Sequence, residues 1–307
     1  MGSRSRKKKG VEKVREYHEA LLGDEFELFE SWLTKPLRKS LRLNTIKADK
    51  GWILKRLKEE LGTGPGGFEE VEAIPWCDEG FWVPDRPWGA TLLHQLGFIY
   101  IQEAASMLPV ELLDVGENDV VLDLAAAPGS KTTQLAARCG TVVANEPADQ
   151  RRKVLFSNLY RCGVSNCIVT AKNGQDFPDD VGFDKVLLDA PCSDIGVARK
   201  NSKVLRTWSK NRARSLAGLQ KKLIARAFEL LKPGGKLVYS TCTSTIEENE
   251  EVILALLEHE PGAKLVKPRT KAKSRGGLLE GAEDVLRVYP WDNDTGFFFV
   301  AKIMKKR

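Results

Sequence analysis

The chain is poor in the residues that build metal centres and cross-linked extracellular folds. Its 307 residues include three histidines, His18, His94 and His259, and six scattered cysteines at 77, 139, 162, 167, 192 and 242. No CxxC pair occurs, which argues against the clustered ligand sets of zinc sites, and no metal is expected. Thiols so dispersed suit a reducing compartment, so a cytoplasmic protein is expected. No apolar run approaches the ~20 residues of a membrane span. Residues 1–10 are basic, but no apolar segment follows to make a signal peptide, and Arg6 stands where a myristoylation signal needs Ser or Thr. They are read as a basic tail. Phosphate-cradling glycine loops are missing as well. A Walker A loop needs Gly-Lys together, whereas Ser130 separates Gly129 from Lys131, and a dinucleotide fingerprint needs three glycines where one is present.

The incomplete loop is nonetheless the centre of the chain. Val121-Leu-Asp-Leu-Ala-Ala-Ala-Pro-Gly-Ser-Lys131 reads as an apolar strand, a tight turn of small residues, and a helix start. Small side chains let a ligand approach the backbone. The next apolar run, Thr141-Val-Val-Ala-Asn-Glu146, ends in a carboxylate suited to the two hydroxyls of a ribose. A nucleoside ligand without a phosphate grip fits both features, and S-adenosylmethionine is such a ligand. Each piece alone is equally well read as an ordinary strand–turn–helix.

Composition is that of a chain with substantial cores, 42% hydrophobic, with a net charge of +6 that tilts mildly toward polyanionic partners. Residues 11–33 have helical spacing with a break at Gly23-Asp24. A strand with a charged face is expected around Leu41-Arg-Leu-Asn-Thr-Ile46. A helix follows over 50–61, closed by the cluster Gly62-Thr-Gly-Pro-Gly-Gly67. Residues 11–88 are thus read as a small α+β module able to touch RNA, and 89–307 as a second domain. From residue 119 strands are expected at 119–124, 141–146, 167–171, 184–189 and 236–241. Helices alternate with them at 131–139, 149–162, 213–231 and 245–259. Such alternation implies a Rossmann-like, doubly wound, mostly parallel sheet, here of seven strands, closed by an antiparallel hairpin from 286–289 and 297–303. Ser244-Thr-Ile-Glu247 reads as a capping box opening the last helix, and Lys232-Pro-Gly-Gly235 as the end of the preceding one.

Ligands of such sheets gather beyond the C-terminal strand ends. The fourth strand ends in Asp189-Ala-Pro-Cys192 and the fifth in Thr241-Cys242-Thr243, 50 residues on. Two thiols and a carboxylate facing a methyl donor suit methylation at C5 of a pyrimidine. That carbon becomes nucleophilic only after a thiolate adds at C6. An acid near N3 favours the addition, a place open to Asp189, and a base must then take the C5 proton.

These motifs, with Arg42-Leu-Asn-Thr45, Gln102-Glu-Ala-Ala-Ser106, Glu247-Glu-Asn-Glu250 and Gly296-Phe-Phe298, resemble the RsmB/NOP (Sun-type) RNA cytosine-5 methyltransferases in family order across 40–303. The resemblance implies a methyltransferase acting on a cytosine of tRNA or rRNA through a covalent adduct. Cys242 is then the nucleophile and Cys192 the group that assists release. Residue types alone leave the order of the cysteines open, since DNA cytosine-5 methyltransferases attack with the cysteine of their Pro-Cys motif. The resemblance also places Ala125, Ala126, Ala127, Pro128, Gly129, Ser130, Lys131, Glu146 and Asp189 on the cofactor, with Lys131 and Asp189 counted among the catalytic groups. Asn173 stands where the family usually carries Asp, and Asp194-Ile195 replaces small residues usual after Pro-Cys-Ser. A monomer is expected, and this length leaves no room for a large additional RNA-binding domain. A DNA methyltransferase and a catalytically silent RNA-binding scaffold are the rival readings.

On the substrate side, residues 195–222 hold no acid, while Arg199, Lys200, Lys203, Arg206, Lys210, Arg212, Arg214, Lys221 and Lys222 gather around Trp208. Cations interleaved with an aromatic suit an RNA backbone and a stacked base. A solvated helix face is the alternative, equally so for the run at 264–275.

Overall fold

A computed structural model describes residues 2–62 and 71–307, with side chains from Gly10 onward. The side chains of the basic tail and the Gly/Pro cluster beyond Gly62 lie outside the described residues. Helix α1 (Gly2–Leu22) and helix α2 (Phe26–Leu33) flank a turn at the expected glycine break. Then come β1 (Ser40–Leu43), α3 (Lys50–Leu61), β2 (Glu72–Ala73), β3 (Gly80–Trp82), α4 (Leu92–Gln95) and β4 (Ile99–Ile101). Asp49 caps α3 by accepting from the Trp52 amide at 2.9 Å. The four strands form an antiparallel sheet in the order β2-β3-β1-β4. The boundary expected after residue 88 therefore falls within the span of this sheet, because β4 pairs with β1. Leu41 and Leu43 face a core with Ile53, Leu57, Phe81 and Ile99. The opposite face of β1 is not the charged, solvated one expected. Arg42 is fully buried, donating to Gln102 Oε1 at 3.0 Å and Thr133 Oγ1 at 2.7 Å. A buried guanidinium needs such partners, and here they join the small sheet to the large unit.

The large unit continues with α5 (Leu108–Leu113), β5 (Val120–Asp123), α6 (Ser130–Ala136), β6 (Thr141–Asn145), α7 (Asp149–Cys162), β7 (Cys167–Thr170) and β8 (Phe183–Asp189). It is completed by α8 (Lys203–Thr207), α9 (Lys210–Glu229), β9 (Leu231–Thr241), α10 (Glu250–His259), β10 (Ala263–Leu265), β11 (Leu286–Val288), α11 (Pro290–Asn293) and β12 (Phe298–Lys305). The sheet runs β10-β12-β9-β8-β5-β6-β7, with β11 also on β12. Strands β9, β8, β5, β6 and β7 are parallel, and β12 enters antiparallel beside β9. The parallel strands are apolar on both faces because helices cover both. One core holds Val121, Val142, Leu187 and Val238 against α5 and α6, and the other holds Leu122, Val186, Leu188 and Leu237 against α9 and α10.

The doubly wound architecture and closing hairpin are as expected, but there are eight strands rather than seven. The added one, β10, pairs along β12 within the stretch that reads only as basic. Two end signals are used differently. Helix α9 ends at Glu229, and Lys232–Gly235 form the irregular start of β9, where the register against β8 shifts. The proposed capping box does not cap: α10 begins at Glu250. Ser244 Oγ instead donates to His18 Nε2 at 2.6 Å, and Glu247 accepts from Tyr17 Oη at 2.5 Å and pairs with Lys210 at 3.5 Å. Helices α1 and α2 pack through Val14 and Phe29 onto Trp208, Ala213 and Phe297, so α1 straps the loop leading to α10. No helix among the described residues is long and apolar enough to cross a membrane.

Two buried groups fix that loop. Arg287 donates to both oxygens of Glu250 at 2.6 Å and to the Ser244 carbonyl at 2.9 Å. Removing one partner strands the other charge, so Arg287→Ala is expected to lower unfolding stability by about 3–5 kcal/mol; a loss below about 1 kcal/mol in a urea titration would contradict this. His18 Nδ1 donates to the Val14 carbonyl at 2.7 Å, leaving Nε2 as an acceptor in a neutral ring. Burial lowers its pKa to about 4. The unfolded chain therefore binds a proton that the folded one refuses. The stability involved is complete above about pH 6.5 and lost as pH falls toward about 4. Urea midpoints should decline across that window, and His18→Gln should flatten part of the slope.

Candidate active site

Parallel pairing of β8 and β9 sets Leu188 opposite Tyr239 and Asp189 opposite Ser240. Both strands end at the same level, and the residues just beyond them converge. The sulfurs of Cys192 and Cys242 lie 3.1 Å apart. Asp189 is held at both oxygens: Ser240 Oγ donates to Oδ1 at 2.7 Å, and Lys131 Nζ, from the first turn of α6, to Oδ2 at 2.7 Å. Lys131 also donates to Ser106 Oγ at 3.0 Å.

The two cysteine loops are tied from beneath by Glu248. It accepts from the Ser193 amide at 2.8 Å and Ser193 Oγ at 2.5 Å, and also from Thr245 Oγ1 and Gln220 Nε2. Burial raises its pKa, against the pull of these donors. Gly196 completes the tie, donating its N–H to the Cys242 carbonyl at 2.7 Å. A Cβ at Gly196 would lie 2.2 Å from the Phe297 carbonyl oxygen and 2.6 Å from that of Cys242. The approach is open to glycine alone, and Gly296 meets Gly196 from the other side under the same constraint.

A cleft of about 450 Å³ opens over the ends of β5, β6 and β8. Ala125, Ala127, Glu146, Asn173 and Asp189 line it, with Cys192, Asp194 and Cys242 at one end. Of the other expected cofactor residues, Ala126 is in the core and Gly129 takes the left-handed φ of 104° that turns the chain into α6. Pro128 is exposed; Ser130 starts α6, and Lys131 points to Asp189, so these residues shape the cleft rather than line it. Glu146, buried at the end of β6, accepts from the Ala148 amide at 2.9 Å through Oε1, and its Oε2 lies 3.5 Å from Arg151. Asn173 is exposed at the rim.

The thiols are not equivalent. The hydrogen bond to Cys242, together with burial, pushes the Cys192 pKa well up. That bond favours the Cys242 thiolate, but burial and the nearby Asp194 and Asp189 carboxylates outweigh it, so Cys242 is raised too. Cys242 is also the less buried of the two, which leaves it the sulfur nearer to ionisation. A second cluster, Cys77, Glu79 and Glu111, is bridged by Arg138 at 2.5 and 2.7 Å.

The cationic stretch divides. Arg199 is buried, bonding Asp294 at 2.6 Å and the Thr295 carbonyl at 2.8 Å, and Trp208 lies under α1, so neither is free for RNA. Lys200, Lys203, Arg206, Lys210, Arg212, Arg214 and Lys222 are exposed. Sequence reasoning missed Asp194, Ser240 and Ser106 as contacts of this site. It marked Glu248 only as part of the Glu-Glu-Asn-Glu motif, and no local signal points to a partner 55 residues away.

A family model described as 16S rRNA methyltransferase RsmB/F matches residues 110–304, and one described as the N-terminal domain of 16S rRNA methyltransferase RsmF matches residues 12–104. The ribosomal RNA small subunit methyltransferase F of Erwinia tasmaniensis is 44% identical over 294 residues, 92% of this chain and 60% of that protein. The tRNA (cytosine(49)-C(5))-methyltransferase of Pyrococcus abyssi is 43% identical over 299 residues, 92% of this chain and 93% of that one. The chain thus spans 60% of the first relative's length and nearly all of the second. A crystal structure of a methyltransferase homologue from Pyrococcus horikoshii superposes with a TM-score of 0.82 at 33% identity, covering 94% of this chain and 93% of that one.

Alkylation by iodoacetamide should be slow at neutral pH at both sulfurs and accelerate as pH rises, with Cys242 modified ahead of Cys192. Peptide mass spectrometry reads the order, and prior modification of Cys192 would contradict this ranking of the two thiols.

Proposed function

The chain belongs to the RsmB/F methyltransferase family, and from that premise we propose that it transfers a methyl group to C5 of a cytosine in tRNA or rRNA, with S-adenosylmethionine as donor. The observation that carries this reading is the pair of sulfurs 3.1 Å apart at one end of the cleft, beside Asp189. The cleft fits the donor. Ala125 and Ala127 leave the backbone approachable, and Glu146 offers Oε2, 3.5 Å from Arg151, to ribose hydroxyls, Oε1 being engaged by the Ala148 amide. Asn173 at the rim offers an amide to the base without a charge. When bound, S-adenosylmethionine supplies an electrophilic methyl group.

The chain's own residues do the rest. Cys242 adds through its sulfur to C6, which makes C5 nucleophilic. The Lys131–Asp189 pair faces the N3 edge and the exocyclic amine, where it steadies the charge that the ring acquires. After methylation Cys192, by then a thiolate, takes the C5 proton; the C5–H pair re-forms the C5=C6 bond and the Cys242 sulfur leaves C6 with the C6–S pair. The exposed cations from Lys200 to Lys222 hold the RNA backbone, and a cytosine in an unpaired segment enters at least cost. The N-terminal module is assigned to positioning the RNA, with Arg42 serving structure rather than contact.

Cys242→Ala should abolish tritiated methyl transfer to RNA while binding of S-adenosylmethionine persists. Cys192→Ala should accumulate an RNA-linked species that migrates slowly on a denaturing gel. Transfer by the Cys242 variant at the wild-type rate, or wild-type transfer to DNA in place of RNA, would refute the reading.

A further inference from the structure

Directly after Cys192-Ser193, Asp194 occupies the left-handed region, with φ 63° and ψ 22°. Asp tolerates this region better than most residues, and Asp114 and Asp294 adopt it as well, so the angle alone marks no site. This conformation aims the carboxylate inward. Oδ1 lies 3.2 Å from Cys242 Sγ and 3.6 Å from Cys192 Sγ, and Asp194 lines the same cleft as both. A glycine would meet the backbone requirement without strain, so the turn itself does not account for an acid.

An idle carboxylate at this place is a handicap. Its charge pushes both thiols away from ionisation, and the nucleophile needs to lose its proton. The handicap disappears if the carboxylate is the acceptor of that proton. The remaining charged groups around it do not compete for the task. Asp189 is occupied by Ser240 and Lys131, Glu248 lies behind Cys192 under four donors, and α9 presents Leu219 and Leu223 to the cleft.

We propose that Asp194 is a catalytic base that takes the Cys242 thiol proton as the sulfur adds to cytosine C6; this rests on the reading of Cys242 as nucleophile. The S–H proton passes to Asp194 Oδ1, and the freed electron pair forms the Sγ–C6 bond. The C5=C6 pair moves into the ring toward N3, where the Lys131 ammonium, paired with Asp189, balances the charge. Asp194 then gives its proton to solvent through the open cleft. Cys192, 3.1 Å from Cys242 Sγ and 3.6 Å from Oδ1 in the resting site, then passes its own proton to Oδ1 and is left as the thiolate that takes the C5 proton.

The test measures single-turnover methyl transfer to RNA across a pH series for the wild type, Asp194→Asn and Asp194→Gly, with Cys242→Ala alongside. The Asn variant keeps size and polarity, and the Gly variant suits the backbone. Both should lose about 100-fold at neutral pH, the usual scale for a general base, and regain about tenfold per pH unit as hydroxide replaces the carboxylate. RNA affinity should stay within about twofold of wild type, because binding precedes the proton transfer. Either variant running at or above the wild-type rate at neutral pH would overturn the proposal, as would a loss equal at every pH. Transfer by Cys242→Ala would instead strike the assignment of the nucleophile itself.

Discussion

The site depends on the register between two neighbouring parallel strands. Asp189 sits opposite Ser240, so the chain leaves β8 and β9 at the same height and on the same side of the sheet. A slip of one residue would turn every side chain of one strand to the other face and carry Cys242 away from Cys192. The register is enforced by groups that are themselves part of the site. Ser240 bonds Asp189 across the strand pair, and Gly196 bonds the Cys242 carbonyl beyond it. Structure and chemistry therefore share their fixings.

Around this pair the protein holds four carboxylates, two of them buried and two half-buried, and each has a different solution. Glu250 faces Arg287 in a closed ion pair. Glu248 collects neutral donors and binds two loops together. Asp189 takes one of each kind, Lys131 and Ser240. Buried acids need such partners, and the choice of partner sets what the acid can do. Those tied to neutral donors fix geometry. Asp194, whose neighbours are thiols, is left with a proton to receive.

Much of the architecture was legible because it is local. Helices α3 and α7 begin and end where periodicity places them, and the parallel strands announce themselves as apolar runs of the right length. The two cysteine-bearing strand ends were legible too, since a doubly wound sheet assigns them a common edge. What escaped was set by distant partners. Ser244 and Glu247 have the spacing of a cap, but α1 claims them across more than 220 residues. Arg42, Arg199 and Trp208 look like a nucleic-acid surface in composition, yet each fills a junction between units. The orientation of Asp194 follows from one left-handed backbone angle, which no periodicity encodes.

Strand β12 has a consequence for synthesis on the ribosome. It is inserted between β9 and the outer strands, and the turn before it supplies the carbonyl of Phe297 against which Gly196 closes. Translation must pass residue 305 before β9 has a neighbour on each side. A nascent chain that has already produced both cysteines still carries one of them on an unprotected sheet edge. The cysteine end of β9 therefore gains its outer neighbour only from the last strand described.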